Sequence, residues 1–167
     1  MFIRLSTEND RPQIKRLLDC CFGPVGDQGA YDNLTGRYLL AFDDDTLAAM
    51  TGLRHNEEYK GFELDWTATY PTYQNFGIMR KLISRICTIT DEWIYCSAWR
   101  IDGKEKANLQ DILEENGFQE VVRDRITLDS RYNCYKVYCP VKKNPTSNFC
   151  KCHEDLWARP ERSWKKE

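Results

Sequence analysis

Residues 68–79 read ATYPTYQNFGIM and carry the strongest chemical signal in the chain. An extended segment holding Ala68, Thr69 and Tyr70 closes at Pro71, a short loop follows, and helical spacing starts after Gly77. The first turn of a helix has N–H groups without intrahelical partners and the positive end of the helix dipole, which together attract anions. Gln74-Asn75-Phe76-Gly77-Ile78-Met79 puts a glycine where backbone must come close to such a ligand. Arg80 and Lys81 follow, either as extra charge beside a phosphate or as solvated helix residues. The same pattern also occurs in plain connectors, so it needs its surroundings.

A second group lies just upstream. Glu63, Asp65, Thr67 and Thr69 alternate with Leu64, Trp66, Ala68 and Tyr70, the period of a strand with two unlike faces. The two carboxylates suit a general base or a solvent-side row. Cys150-Lys151-Cys152-His153 offers three zinc-ligand types, with Cys134 or Cys139 as a fourth, but the spacing is not that of a standard knuckle and thiols are the simpler reading. Cys20, Cys87 and Cys96 fall in apolar patterns, and His55 reads as a strand-end surface residue. Arg159, Arg162, Lys165 and Lys166 among Trp157 and Trp164 read as a tail that packs its indoles, with too few charges for a nucleic-acid surface.

Composition narrows the class. The 167 residues form one domain's length, able to bury about 70% of the unfolded surface. Aromatic residues make up 13%, against disorder, and a net charge of -2 leaves no electrostatic footprint for nucleic acid. No apolar run reaches the roughly 20 residues of a membrane span, and residues 1–10 lack the apolar core of a signal peptide. The expected location is therefore cytoplasmic, with no membrane partner and with the eight cysteines as thiols.

The elements that must position these residues follow from periodicity. Strands are expected at 2–5, 38–42, 46–54, 62–70, 93–99, 121–128 and 135–141. Helices are expected from Pro12 through Cys21, weakly at 31–35, from Gly77 to Ile89, and over 107–116, where Asn116-Gly117 stops the chain. Residues 142–167 read as polar with scattered aromatics. This order gives a mixed α/β (α+β) sheet with helices on both faces.

Strand, proline, loop and then Gln-x-x-Gly-x opening a helix resembles the acyl-CoA pyrophosphate loop of the GCN5-related N-acetyltransferase (GNAT) family. The later Glu114-Glu115-Asn116-Gly117-Phe118 followed by a strand is similar to a helix ending common in that family. The resemblance spans about residues 2–140 in element order, its specific part only 68–79. It implies a mostly antiparallel sheet of about seven strands, a GNAT-like domain over 1–141 and a C-terminal extension over 142–167. It implies acetyl-CoA as co-substrate, no metal, and a primary amine as acceptor, with a homodimer left open. Gln74, Asn75, Phe76, Gly77, Ile78 and Met79 would hold the pyrophosphate, Ala68, Thr69 and Tyr70 the pantetheine arm, and Asn108 a further cofactor contact.

Some members place a glutamate eleven residues before the loop's first residue. Here that is Glu63, the first candidate base through water, with Asp65 second. The family's tyrosine four residues before the Gly-Phe glycine falls on Leu113, and its small residue on Met79, so the usual acid is absent; Tyr132 and Tyr135 are candidates by type, Tyr135 being retained. The acceptor is expected to enter between residues 23–35 and 129–133. The leading expectation is direct acetyl transfer in a ternary complex. The alternatives are a catalytically impaired acyl-CoA-binding or protein-interaction module on the same fold, and a metal-dependent regulator built on Cys150, Cys152 and His153.

Overall fold

The computed structural model describes residues 1–22, 34–100, 103–128 and 152–161. Seven strands form one sheet: β1 (Phe2–Leu5), β2 (Arg37–Asp43), β3 (Thr46–Asn56), β4 (Gly61–Thr69), β5 (Ile94–Arg100), β6 (Gln119–Leu128) and β7 (Cys152–Arg159). Their order across the sheet is β1-β2-β3-β4-β5-β7-β6. Every neighbouring pair is antiparallel except β4 and β5, which run parallel. The mixed, mostly antiparallel sheet is as the sequence implies.

Helix α1 (Arg11–Phe22) covers one face. Its Ile14, Leu17 and Leu18 are buried against Tyr38, Leu40, Phe42, Leu47, Met50 and Ala68. Helices α2 (Ile78–Ile86) and α3 (Gln110–Glu115) cover the other. The i, i+4, i+5, i+8 spacing of Ile78, Leu82, Ile83 and Ile86 lays all four against Leu39, Ala49, Leu53 and Leu64. Each such side chain contributes about 1.5–3 kcal/mol when fully buried, so α2 is fixed by its apolar stripe rather than by its length. Ile89, expected at the end of this helix, lies beyond it and is exposed. The chain's first turn is locked by Asp10, which receives both Nη atoms of Arg4 at 2.7 Å and the Thr7 amide at 2.7 Å.

Two expectations change. The sequence reading ended the domain at 141 and set 142–167 apart, whereas Cys152–Arg159 is β7, an interior strand between β5 and β6. Its polar appearance came from charges that are neutralised across strands. Asp155 is 1% exposed and accepts hydrogen bonds from Arg100 Nε (2.9 Å), Arg100 Nη2 (3.3 Å) and the Asp124 amide (2.9 Å). Arg100 also donates to Asp124, whose φ of 53° marks a break in the β6 register. The strand expected over 135–141 lies outside the described residues, as do 31–33 of the weak helix; Leu34 and Thr35 are not helical.

The second change is in β4. Asp65 pairs with Gly52 and Ala68 with Met50, so Trp66 and Thr67 together face Thr51 alone. Trp66 has φ 43°, an unusual value for a bulky residue that identifies a β-bulge. The bulge breaks the alternation. Leu64 faces the α2 side, whereas Trp66, Ala68 and Tyr70 join the α1 side. Glu63 and Asp65 therefore do not share a face with Thr67 and Thr69, contrary to strict period two.

Candidate active site

The site begins where β4 and β5 part. They pair only at Phe62↔Ile94 and Glu63↔Tyr95, yet β4 continues to Thr69 and β5 to Arg100. Beyond Glu63 the edge of β4 that would meet β5 is open. The Tyr70 amide bonds the Ala48 carbonyl on β3, so by strand alternation the N–H and C=O of Thr69 fall on the open side. The Thr69 carbonyl there accepts contacts of 3.4 Å from Cys21 Sγ and from Gln74 Nε2, the latter tying the loop to the strand. Of the three residues expected along an extended ligand arm, Ala68 is buried on the α1 side, Tyr70 uses its amide on β3, and Thr69 keeps backbone groups at the opening.

At the end of β4, residues 71–73 make one 3-10 turn and the loop bends through two left-handed residues, Asn75 (φ 67°) and Gly77 (φ 72°). Asparagine tolerates this conformation and glycine favours it. A Cβ at Gly77 would meet nothing within 4 Å, so open space faces this residue. The first amide past the loop that finds a backbone carbonyl is that of Lys81, bonded to Gly77 at 3.2 Å. The preceding amides stand at the positive end of α2, in the arrangement that binds phosphate. Phe76 is 72% exposed at the loop tip, and Ile78 turns into the core. Met79 packs against that same core, so the large side chain expected to threaten the phosphate position is directed away from it.

A cleft of about 310 Å³ adjoins this turn, lined by Arg80, Lys106, Asn108, Leu109, Asp111 and neighbours. The Asn108 amide bonds the Trp99 carbonyl at 2.6 Å, which fixes the loop entering α3 to the end of β5. Leu109 adopts φ 66°, and α3 therefore starts at Gln110, later than periodicity predicts. Arg80 Nε lies 2.6 Å from Glu115 Oε2, and Lys106 Nζ 2.6 Å from Asp111 Oδ1. The cleft brings together Asn108, expected as a cofactor contact, and Arg80, left open between phosphate charge and solvated residue, with Lys106 and Asp111, which sequence reasoning did not single out. A basic residue just before a short helix was the only available signal.

The candidate base residues differ in surroundings. Glu63 Oε2 accepts from Arg54 Nη2 at 3.1 Å and from Asn56 Nδ2 at 3.2 Å. Asp65 Oδ2 accepts from the Tyr38 hydroxyl at 2.7 Å. Burial pushes the Asp65 carboxyl above its ordinary range, opposed by the Tyr38 hydrogen bond and by Arg54. Burial, together with Asp65, holds the Tyr38 phenol well above the usual tyrosine range. The Cys96 thiol is buried and pushed up to about 12, so it stays protonated and is no nucleophile. Leu113 is a fully buried core residue. Tyr132, Tyr135, Cys134, Cys139 and Cys150 lie outside the described residues. Cys152 is buried in β7, and its strand neighbour His153 projects to the other face, with Nδ1 3.0 Å from Asp124 Oδ1. No helix among the described residues is long and apolar enough to cross a membrane.

Comparison with known proteins agrees with this geometry. No curated protein sequence matches the chain. Among solved structures, the aminoglycoside 6'-N-acetyltransferase from Enterococcus faecium is 14% identical with a TM-score of 0.67, covering 95% of this chain and 96% of that one. An aminoglycoside 6'-N-acetyltransferase complexed with coenzyme A is 13% identical with a TM-score of 0.65, over 95% and 96%. The ribosomal-protein-S18-alanine N-acetyltransferase from Escherichia coli is 12% identical with a TM-score of 0.64, over 99% of both chains. At these identities the likeness is one of fold. The profile of the Acetyltransferase (GNAT) family matches residues 8–112, so the α2 turn, the parting strands and the cleft fall within it. The chain belongs to the GNAT acetyltransferase family, whose acyl donor is acetyl-CoA.

Proposed function

We propose that the protein moves the acetyl group of acetyl-CoA to a primary amine by direct attack in a ternary complex, in the reducing cytoplasm where its cysteines stay thiols. The observation that carries this reading is the coincidence of two features at the end of β4. The strands part beyond Glu63↔Tyr95, and the open amides of the α2 turn stand at the same end. The diphosphate fits the amides of Asn75 to Met79, with Arg80 and Lys106 beside it, and the extended arm fits the open side of β4 at Thr69. Donors at the thioester oxygen would stabilise the tetrahedral oxyanion, and a carboxylate on β4, Glu63 or Asp65, would take the proton from the amine. The acceptor is free to vary because fold does not fix it.

Leu113 favours a second reading. The tyrosine that the family resemblance puts there is replaced by a buried leucine, which agrees with a fold that binds acyl-CoA without turning it over. One pair of measurements separates the two. Saturating acetyl-CoA at 100 times its dissociation constant stabilises by about 2.7 kcal/mol, a rise in Tm of about 5–10 °C for a chain of this size. Thiol release dependent on an added amine, followed by mass spectrometry of the acetylated amine, supports the enzyme. Tight binding with no transfer across a panel of amines supports the binding module, and no thermal shift at millimolar ligand refutes both.

A further inference from the structure

We infer that Tyr38 is a positioning residue that makes Asp65, rather than Glu63, the carboxylate receiving the amine proton; this rests on the acetyl-transfer reading above. Glu63 sits at the last paired position of β4 and β5, and its Oε2 is already held by Arg54 and Asn56. These bonds tie Glu63 to Arg54 and Asn56 of β3, at a position where β5 still closes the strand edge. Asp65 is the next residue on the same face, about 6.6 Å further along the strand, and the first beyond the point where β5 departs. The bulge at Trp66 follows at once, so Asp65 is the last acidic residue of β4 on this face before the alternation reverses.

The Tyr38 ring is fixed by two glycines. A Cβ at Gly52 would stand 2.4 Å from Tyr38 Cδ1, and one at Gly36 would stand 3.0 Å from its hydroxyl oxygen. Glycine inside a strand marks close approach, and here the approaching group is this ring. The slot delivers the hydroxyl to Asp65 Oδ2. The groups that act on Asp65 are Tyr38 from β2, Arg54 from β3 and Glu63 from β4, with the Trp66 amide next to it. From α1, Arg16, Asp19, Cys20 and Cys21 act instead on Tyr70, further along the strand. Burial raises the basicity of Asp65 while the Tyr38 hydrogen bond restrains it, and burial prevails, so the carboxylate is a stronger base than in water.

In the step itself the free-base amine nitrogen attacks the thioester carbon and the C–S bond breaks. The proton shed by nitrogen passes to the Asp65 carboxylate. The departing thiolate takes a proton from solvent and Asp65 returns its own to solvent, so that amide and CoA thiol are the products.

The test is the pH profile of kcat/KM for wild type, Tyr38→Phe, Asp65→Asn and Glu63→Gln, with two amines of different basicity so that the enzyme's own limb is identified. Tyr38→Phe keeps the ring in its slot and removes only the hydroxyl. Losing a hydrogen bond to a charged carboxylate raises its pKa, so the acidic limb moves to higher pH by about one unit. Asp65→Asn removes that limb and lowers kcat by about 10²–10⁴-fold with acetyl-CoA affinity retained. Glu63→Gln keeps the limb and moves it to lower pH, because the Glu63 charge raises the Asp65 pKa. An infrared titration of the carboxyl in the CoA-bound protein gives a readout independent of turnover: its midpoint shifts up in Tyr38→Phe and the signal vanishes in Asp65→Asn. An acidic limb that ignores Tyr38→Phe, or that disappears with Glu63→Gln instead of with Asp65→Asn, overturns the inference while leaving acetyl transfer intact. A wild type that binds CoA and acetylates no amine overturns the transfer reading and the inference with it.

Discussion

Asp155→Ala should destabilise the fold far more than an average substitution. Asp155 is nearly inaccessible and receives three hydrogen bonds, two from Arg100 and one from the Asp124 amide. Removing one partner of a buried charge pair costs about 3–5 kcal/mol, and here it leaves the buried Arg100 only the half-exposed Asp124 as counter-charge. For a chain of 150–250 residues each kcal/mol lowers Tm by about 2–4 °C, so the variant should melt about 6–20 °C lower. The loss should be specific to the broken buried pair. In the double variant Arg100→Met with Asp155→Leu both charges are gone, the apolar volume is kept, and Asp124 remains half in solvent, so the double should be no less stable than Asp155→Ala. Differential scanning fluorimetry and urea titration of wild type, both singles and the double measure this. A single variant within 2 °C of wild type refutes the reasoning, and so does a double variant whose losses simply add.

Three further predictions bear on the site and the fold. Gly77→Val forces a β-branched residue into φ 72° and fills the open space beside the α2 amides, so Tm falls by about 2–8 °C and KM for acetyl-CoA rises at least about tenfold; an unchanged KM contradicts it. Leu113→Tyr should not restore an acid but overpack a filled position, lowering unfolding free energy by about 1–3 kcal/mol in urea titration, and a stable, faster enzyme would contradict the placement. Asp10 and Asp155 are held below the ordinary carboxylate range, Asp10 by its hydrogen bonds from Arg4 over the opposing effect of burial. For Asp155 burial is the largest effect and acts upward, but the bonds from Arg100 and the Asp124 amide outweigh it. Their stabilisation is therefore complete above about pH 4 and is lost as pH falls through the native values, so melts from pH 5 to 2 should drop steeply in wild type and less in Asp10→Asn.

Much of this arrangement was legible in the residues. The Ile78, Leu82, Ile83, Ile86 stripe announces α2, and Gly77 with the preceding proline-closed strand announces the turn that opens it. Strands β1 to β4 follow from alternation and turn residues. What was hidden has physical causes. β7 looks polar because Asp155 is buried against Arg100 of β5 and Arg159 is buried with a donor on the Thr90 carbonyl in the α2–β5 loop, and no single sequence displays that pairing. Trp66 adopts its positive φ under the constraint of the sheet, and tryptophan carries no mark of it. Leu109 shortens α3 in the same way. The Tyr38–Asp65 contact was half visible: Gly52 inside an apolar strand signals close approach, but only the register between β2, β3 and β4 tells which ring fills the gap.

The central claim is that open amides at the start of α2 hold a diphosphate, and calorimetric titration with CoA, dephospho-CoA and pantetheine tests it most directly. Two charge-assisted hydrogen bonds of about 1.5–3 kcal/mol each amount to at least about a hundredfold in affinity. The account predicts that dephospho-CoA, which keeps the diphosphate, binds within about tenfold of CoA, and that pantetheine, which lacks it, binds at least about a hundredfold more weakly. Equal affinity for CoA and pantetheine would contradict it.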